Sequence, residues 1–205
     1  MHISHTAIFP SIIGNTMVSG FEFIQNPIID WIYDYQKNDK GVIKSNSGGW
    51  QSKSNFYEEE SFSSFFDPLC NAIDFYIGHT YENVSSFTFS NAWININFPG
   101  CYNRFHNHPM SEISGCFYIK VPENSGALVF QNDMQYDYAK CMNLAKSDIK
   151  VKFNYDHSFG IVPLEGSVFF FPSSLYHEVT ENNSKSDRIS IAFNLALVSS
   201  NSMTE

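Results

Sequence analysis

A chain of 205 residues, 43% of them hydrophobic and 16% charged, is long enough to bury a core and fits a single domain. Its 12 basic against 21 acidic residues give a formal charge of -9, which lacks the basic footprint that a phosphate backbone demands, so no nucleic acid is expected as a partner. No stretch offers 18 uninterrupted apolar residues, and the N-terminus has no basic region followed by a long apolar run. A soluble, cytoplasmic chain with no membrane contact is therefore expected.

The 20 Phe and 11 Tyr bring the aromatic fraction to 17%, which favours strands with well-filled interiors, so the expected class is mainly β. Cys70, Cys101, Cys116 and Cys141 are far apart and form no C-x-x-C, and they are read as reduced core thiols. Residues 1–24 suggest an opening strand and hairpin. Asn26-Pro27 reads as a helix start, with Asn26 as cap and Pro27 in the first turn. This helix runs to Asn38 with Ile28, Ile29, Ile32, Tyr33 and Tyr35 on its apolar face. The turn-rich segment DKGVIKSNSGGWQSKSN, residues 39–55, reads as a surface loop around its Gly48-Gly49-Trp50-Gln51 core, in which Trp50 plugs a core edge or, less favoured, contacts substrate. From Ser61 to Tyr81, Phe62, Phe65, Phe66, Leu69, Ala72, Ile73, Tyr76 and Ile77 keep a helical spacing.

After Tyr81 the period changes to two. SFTFSNAWININF alternates up to Pro99-Gly100. Strands then follow almost continuously, at about 103–107, 112–121, 126–131, 149–154, 159–162, 166–172, 176–180 and 187–197. Nothing divides them, so residues 1–205 are expected to form one domain, with an N-terminal helical and loop region at 1–82 and a β core at 83–198. The tail after Val198 is expected to fray.

The chemistry concentrates in NRFHNHPMSEISGCFY, residues 103–118. In extended backbone, residues i and i+2 share a face, so His106 and His108 can share a metal. Imidazole suits iron, zinc, copper or nickel. Two ligands rarely suffice, and His177 is the best third. Eleven residues further, Arg188 and then Ser190 sit in the apolar run RISIAFNL. An arginine in a core strand requires an anionic partner, and a guanidinium near a metal ligand can clamp the carboxylate of a co-substrate that chelates the metal. His2, His5, His79 and His157 are read as structural. Gln131, Asp133 and the long segment from Asp133 to Ser158 are candidates for the mouth of the site, where selectivity would lie.

In this order, His106-x-His108-Pro109, Ser114-Gly115-x-x-Tyr118, Gly126-x-Leu128-x-Phe130, Gly166 to Phe171-Pro172, His177 and Arg188-x-Ser190 resemble the 2-oxoglutarate and iron(II)-dependent oxygenases. The likeness is greatest to the group carrying H-x-H-P…S-G-x-x-Y and covers about Trp93 to Leu195, with residues 48–52 also similar. The resemblance implies a double-stranded β-helix, the jelly-roll barrel shared with cupins, with N-terminal helices packed against it. It implies Fe(II) as metal, with His106 as first ligand, His177 as distal ligand and His108 where Asp or Glu usually stands. It implies 2-oxoglutarate as co-substrate, held by Arg188 with Ser190 as helper, and Tyr118 and Asn97 facing the pocket. The implied reaction is hydroxylation of a C–H bond in a peptidyl or small-molecule substrate, with release of succinate and CO2.

Two other readings stay open. His106-x-His108-x-x-x-Glu112 with His177 also matches a cupin metal site, in which Glu112 is a ligand and no 2-oxoglutarate is used. The third is a barrel without activity that serves as a binding protein. The oligomeric state is open, a homodimer included.

Overall fold

The protein is described by a computed structural model covering residues 3–7, 10–132 and 141–200. Its elements in chain order are β1 (Gly14–Met17), α1 (Phe21–Asn38), β2 (Asn46–Ser47), β3 (Trp50–Gln51), α2 (Ser63–Thr80), β4 (Val84–Asn97), β5 (Tyr102–His106), β6 (Ile113–Lys120), β7 (Leu128–Gln131), α3 (Ser147–Phe153), β8 (Ser158–Ile161), β9 (Ser167–Pro172), β10 (His177–Val179) and β11 (Arg188–Ser199). The strands form two antiparallel sheets. A major sheet has the order β1-β9-β6-β11-β4-β3 and a minor sheet the order β2-β5-β10-β7-β8.

The major sheet is covered on both faces. Ile94, Ile96, Phe117, Phe170, Ile189, Ile191 and Phe193 join Ile28, Ile32, Leu69 and Ile73 of the helices in one core. Cys116, Tyr118 and Phe169 on the other face meet Leu128, Phe130 and Phe171 in a second. A strand buried on both sides reads as a continuous run, which is why β6 and β9 show no exposed face. The polar partners in the alternating β4 are not turned to water either: Asn95 and Asn97 are buried and face the space between the sheets. This is the double-stranded β-helix with N-terminal helices that the sequence led us to expect.

Several local expectations change. The first helix begins at Phe21, not Pro27, so Asn26 caps nothing and Pro27 lies inside α1. Pro27 is exposed and the residue four before it, Phe23, is 78% exposed. The carbonyl that loses its partner there can turn to water. Phe21 draws the helix start back by packing edge-on to Phe117 at 5.6 Å between ring centroids. Among the described residues no opening hairpin is present; β1 pairs with β9 at the edge of the major sheet.

The period-two run at 149–154 is not a strand but belongs to α3. No residue of α3 is buried, so no sheet selects the strand pattern, and local bonds such as Lys150 N–H to the Lys146 carbonyl (3.0 Å) form instead. The expected surface loop holds β2, paired with β5 of the minor sheet, and β3, paired with β4 of the major sheet. Gly49, with φ +67°, lets the chain cross: a Cβ there would stand 2.5 Å from the Ile96 carbonyl oxygen. Trp50 belongs to the helix-side core and donates its indole N–H to the Asp39 carbonyl at 2.9 Å. It plugs a core edge. All four cysteines are free, but only Cys116 is buried; Cys70 and Cys101 are half-buried and Cys141 is exposed.

Among the described residues no helix is long and apolar enough to cross a membrane.

Candidate active site

His106 closes β5 and His177 opens β10, and the two are register partners on adjacent antiparallel strands. Opposed residues share a face, so strand pairing alone brings these imidazoles together. His108 lies beyond the end of β5, where its backbone N–H donates to the Ser173 carbonyl at 2.9 Å. Ring centroids are 4.8 Å apart for His106 and His108, 4.4 Å for His106 and His177, and 5.1 Å for His108 and His177. One ligating nitrogen from each ring lies within 4.8 Å of the other two, and no Asp, Glu or Cys joins this group among the described residues.

The tautomers follow from the neighbours. His106 Nδ1 donates to the Arg104 carbonyl at 2.6 Å and His177 Nδ1 to the Leu175 carbonyl at 2.9 Å. A carbonyl only accepts, so Nδ1 carries the proton and Nε2 keeps the lone pair that a metal needs. Burial pushes the His106 pKa below its ordinary value. It pushes His108 down to about 3 and His177 to about 4, with the charges of neighbouring imidazoles as the second cause. All three are neutral at ordinary pH, the form a cation can coordinate.

The major sheet supplies the floor. Its rungs face the minor sheet in order: Arg188 opposite Asn97, then Ser190 between Asn95 and Tyr118, then Ala192 between Trp93 and Cys116. The last rung touches the metal-capable cluster, since Trp93 and His108 are 5.3 Å apart. The first rung carries a buried cation. Arg188 is 1% exposed and its Nη1 donates to the carbonyls of Ser125 and Thr180, the latter at 3.2 Å. Its Nε and Nη2 are buried without a partner, as is the Tyr118 hydroxyl.

Gly126 (φ +95°) makes room for this arginine, because a Cβ would stand 2.7 Å from Nη1 and 2.5 Å from the Thr180 carbonyl oxygen. Burial lowers the Arg188 pKa, but a guanidinium stays charged in a protein. The Tyr118 phenol is raised well above its ordinary value by burial, with Cys116 adding to the rise and the Arg188 charge opposing it. Its O–H thus remains a donor. Unpaired, dry donors around a fixed cation fit an acceptor-rich anion, and a dicarboxylate is such a ligand.

Asn97 does not present its amide freely: it donates to Asn103 Oδ1 at 3.0 Å. Glu112 lies outside the imidazole cluster; it is exposed, and its carboxylate accepts from the Leu197 backbone N–H at 3.0 Å. His79 and His157 bond locally, to the Phe75 carbonyl at 2.8 Å and Asn143 Oδ1 at 3.0 Å. Gln131 closes β7 half-buried; His2 and Asp133 lie outside the described residues.

Sequence reasoning missed the support beneath His108. Asn194 Nδ2 donates to Asn91 Oδ1 (2.7 Å), Ser114 Oγ bonds Asn194 Oδ1 (2.6 Å) and Ser173 Oγ (2.9 Å), and Ser173 then holds the His108 backbone. The available signal was the polar residues in otherwise apolar strands, Ser114 in ISGCFY and Asn194 in AFNLAL.

Comparison with known proteins accords with this geometry. A viral collagen prolyl hydroxylase from Paramecium bursaria Chlorella virus-1, solved as its 2-oxoglutarate complex, is 15% identical with a TM-score of 0.55, over 89% of this chain and 94% of that one. The α-ketoglutarate-dependent carbocyclase SnoK of nogalamycin biosynthesis is 10% identical with a TM-score of 0.61, over 89% and 78%. A Trichoplax adhaerens prolyl hydroxylase, solved with a peptide fragment of hypoxia inducible factor, is 11% identical with a TM-score of 0.59, over 94% and 87%. At these identities the likeness is one of fold. No curated protein matches the sequence. Residues 91–194, just over half of the chain, match the family model described as "Putative 2OG-Fe(II) oxygenase". The chain therefore belongs to the 2-oxoglutarate and Fe(II)-dependent oxygenase family, whose enzymes use Fe(II) as metal and 2-oxoglutarate as co-substrate.

Proposed function

We propose that this protein is a dioxygenase that hydroxylates a C–H bond of a peptidyl or small-molecule substrate. The observation that carries the reading is the buried Arg188 guanidinium with Nε and Nη2 unpaired, on the same sheet face that leads through Ser190 to the three imidazoles.

Each residue has a role that its surroundings support. His106, His108 and His177 hold Fe(II) through neutral imidazole nitrogens. Arg188 clamps the far carboxylate of 2-oxoglutarate, with the Tyr118 hydroxyl and Ser190 as further donors. Asn97, held by Asn103, positions the first rung. Trp93 beside His108, and Phe171 at 4.7 Å from His177, wall the cluster from water. Bound iron and 2-oxoglutarate supply the oxidising chemistry, in which one atom of O2 ends in succinate, released with CO2, and the other in the hydroxylated product.

His108 replaces the carboxylate usual in such sites, so three neutral ligands leave the metal more positive, which favours a dianionic chelator. The cupin alternative needs Glu112 as a ligand, and the Leu197 backbone engages that carboxylate instead. Residues 1–82 brace the major sheet with α1 and α2 and add β1, β2 and β3 to the sheet edges, while the β core at 83–198 holds the imidazoles and Arg188.

The test is anaerobic titration of the Fe(II)-loaded protein with 2-oxoglutarate. A weak visible absorption band from the chelate is expected, saturating at one equivalent. A protein that binds iron but shows neither the band nor heat of 2-oxoglutarate binding would not be this enzyme.

A further inference from the structure

The floor continues one rung past the metal-capable cluster. Asn194 on β11 pairs with Asn91 of β4 on one side and with Ser114 of β6 on the other, and Ser114 pairs in turn with Phe171 of β9, the ring that stands against His177. Ser114 is 1% exposed, Asn194 3%, and Ser173, just past the end of β9, 1%. The Ser173 hydroxyl bonds Ser114 at 2.9 Å, Ser114 bonds Asn194 Oδ1 at 2.6 Å, and Asn194 Nδ2 bonds Asn91 Oδ1 at 2.7 Å. A hydroxyl carries one hydrogen, so Ser173 donates to Ser114 and Ser114 to Asn194. Because a hydroxyl also accepts, the chain closes equally well with both amides turned over together.

This chain ends on the turn after β9, and that turn holds two of the three imidazoles. The Ser173 carbonyl accepts from the His108 N–H at 2.9 Å, and the Ser173 N–H donates to the Glu112 carbonyl at 3.1 Å. Those two bonds staple a loop in which His108 belongs to no strand ladder. Two residues on, the Leu175 carbonyl accepts from His177 Nδ1 at 2.9 Å. A shift of the turn therefore moves the backbone of one ligand and the ring of another together. Two alanines in place of the serines would fill the same strand and turn without burying a hydroxyl. A bonded polar chain in a dry interior instead admits one geometry, because any other leaves a partner unpaired.

We propose that Ser114, Ser173 and Asn194 are positioning residues for the metal site, which key the 173–175 turn into the major sheet and so set His108 and His177 relative to each other. This rests on the reading of the three imidazoles as metal ligands, and it gives Ser114, the first residue of the Ser114-Gly115-x-x-Tyr118 stretch, a task.

The test uses Co(II), whose visible bands report ligand geometry, in place of Fe(II) in the full-length protein. Ser173→Ala and Ser114→Ala should each lower Co(II) affinity by at least about tenfold, as loss of support behind a metal ligand does, and should alter the bands at saturating metal. Ser173→Ala leaves Ser114 bonded to Asn194 and strands no buried atom, so it decides the matter even if Ser114→Ala does not fold. The double variant should lose little more affinity than Ser114→Ala, because both act through one turn. Ile73→Val, which thins the helix-side core on the other face of the sheet, should lower the melting temperature but leave Co(II) affinity and spectrum as they were.

Unchanged Co(II) affinity in Ser173→Ala overturns the proposal. So does lower affinity with an unaltered spectrum, since the ligands would then stand where they stood before, and so does an equal loss in Ile73→Val, which would trace the effect to general stability. Absence of Co(II) binding by the unaltered protein overturns the metal reading and this one with it, whereas full binding by the unaltered protein and by Ser173→Ala alike overturns this one alone.

Discussion

Arg188 stands directly across the β11–β4 pairing from Asn97, on the rung farthest from Trp93 and His108. The proposed anchor for an anion and the metal-capable cluster thus sit at two ends of one sheet face, separated by the Ser190 rung. Arg188→Ala should weaken 2-oxoglutarate about 100-fold, the effect of losing two charge-assisted hydrogen bonds, while metal affinity stays as it was. Arg188→Lys should recover only part of the loss, because an ammonium cannot present the planar fork. Calorimetric titration of metal and then 2-oxoglutarate into each variant checks both halves.

Gly126 shapes that anchor from the neighbouring turn. Gly126→Ala should cost about 1–3 kcal/mol, since its φ of +95° is hostile to a side chain and the new methyl would press on Arg188 Nη1 and the Thr180 carbonyl. Urea unfolding should show the loss, and 2-oxoglutarate affinity should fall with it as Arg188 is displaced.

Acid should destabilise the metal-free protein through the imidazoles. Their folded pKa values lie below the ordinary 6.5, at about 3 for His108 and about 4 for His177. The unfolded chain therefore binds more protons than the folded one between about pH 4 and about pH 6.5. Stability is full above that window and falls as the pH descends through it. His108→Asn should flatten this dependence. Urea midpoints measured across the window would show it, and a slope unchanged in the variant would place the effect elsewhere.

Removing ligands separates the metal readings. His106→Ala, His108→Ala and His177→Ala should each lower Fe(II) affinity by at least about tenfold, as loss of one donor from a three-donor site demands. Glu112→Gln should leave metal affinity intact and change stability little, since the amide oxygen can still accept from the Leu197 N–H. Loss of metal in the Glu112 variant would revive the cupin arrangement.

The fold was legible where periodicity met burial. Phe66 to Ile77 face the core from α2 as their spacing requires, and β4 to β11 fall close to the expected strands apart from the α3 segment. The His106, His108, His177 order was readable because H-x-H and a distal His form a pattern along the chain. Other features depend on partners distant in sequence. Phe21 starts α1 early by packing on Phe117, and β2 and β3 are strands only because β5 and β4 lie beside them. Asn95 looks like a solvent-facing amide until the minor sheet is laid over it.

The hub of the major sheet is β11, which pairs with β4 on one side and β6 on the other, yet it comes after all the strands it joins among the described residues. During synthesis β1, β9 and β6 can form one half of the sheet and β4 with β3 the other, each with a bare edge, until residues 188–199 leave the ribosome. The nascent chain then holds all three imidazoles but lacks the guanidinium, and it exposes two unpaired strand edges open to association with other chains. Assembly of the anion anchor and closure of those edges are therefore the same event, so a chain that has escaped aggregation is also one whose Arg188 is in place.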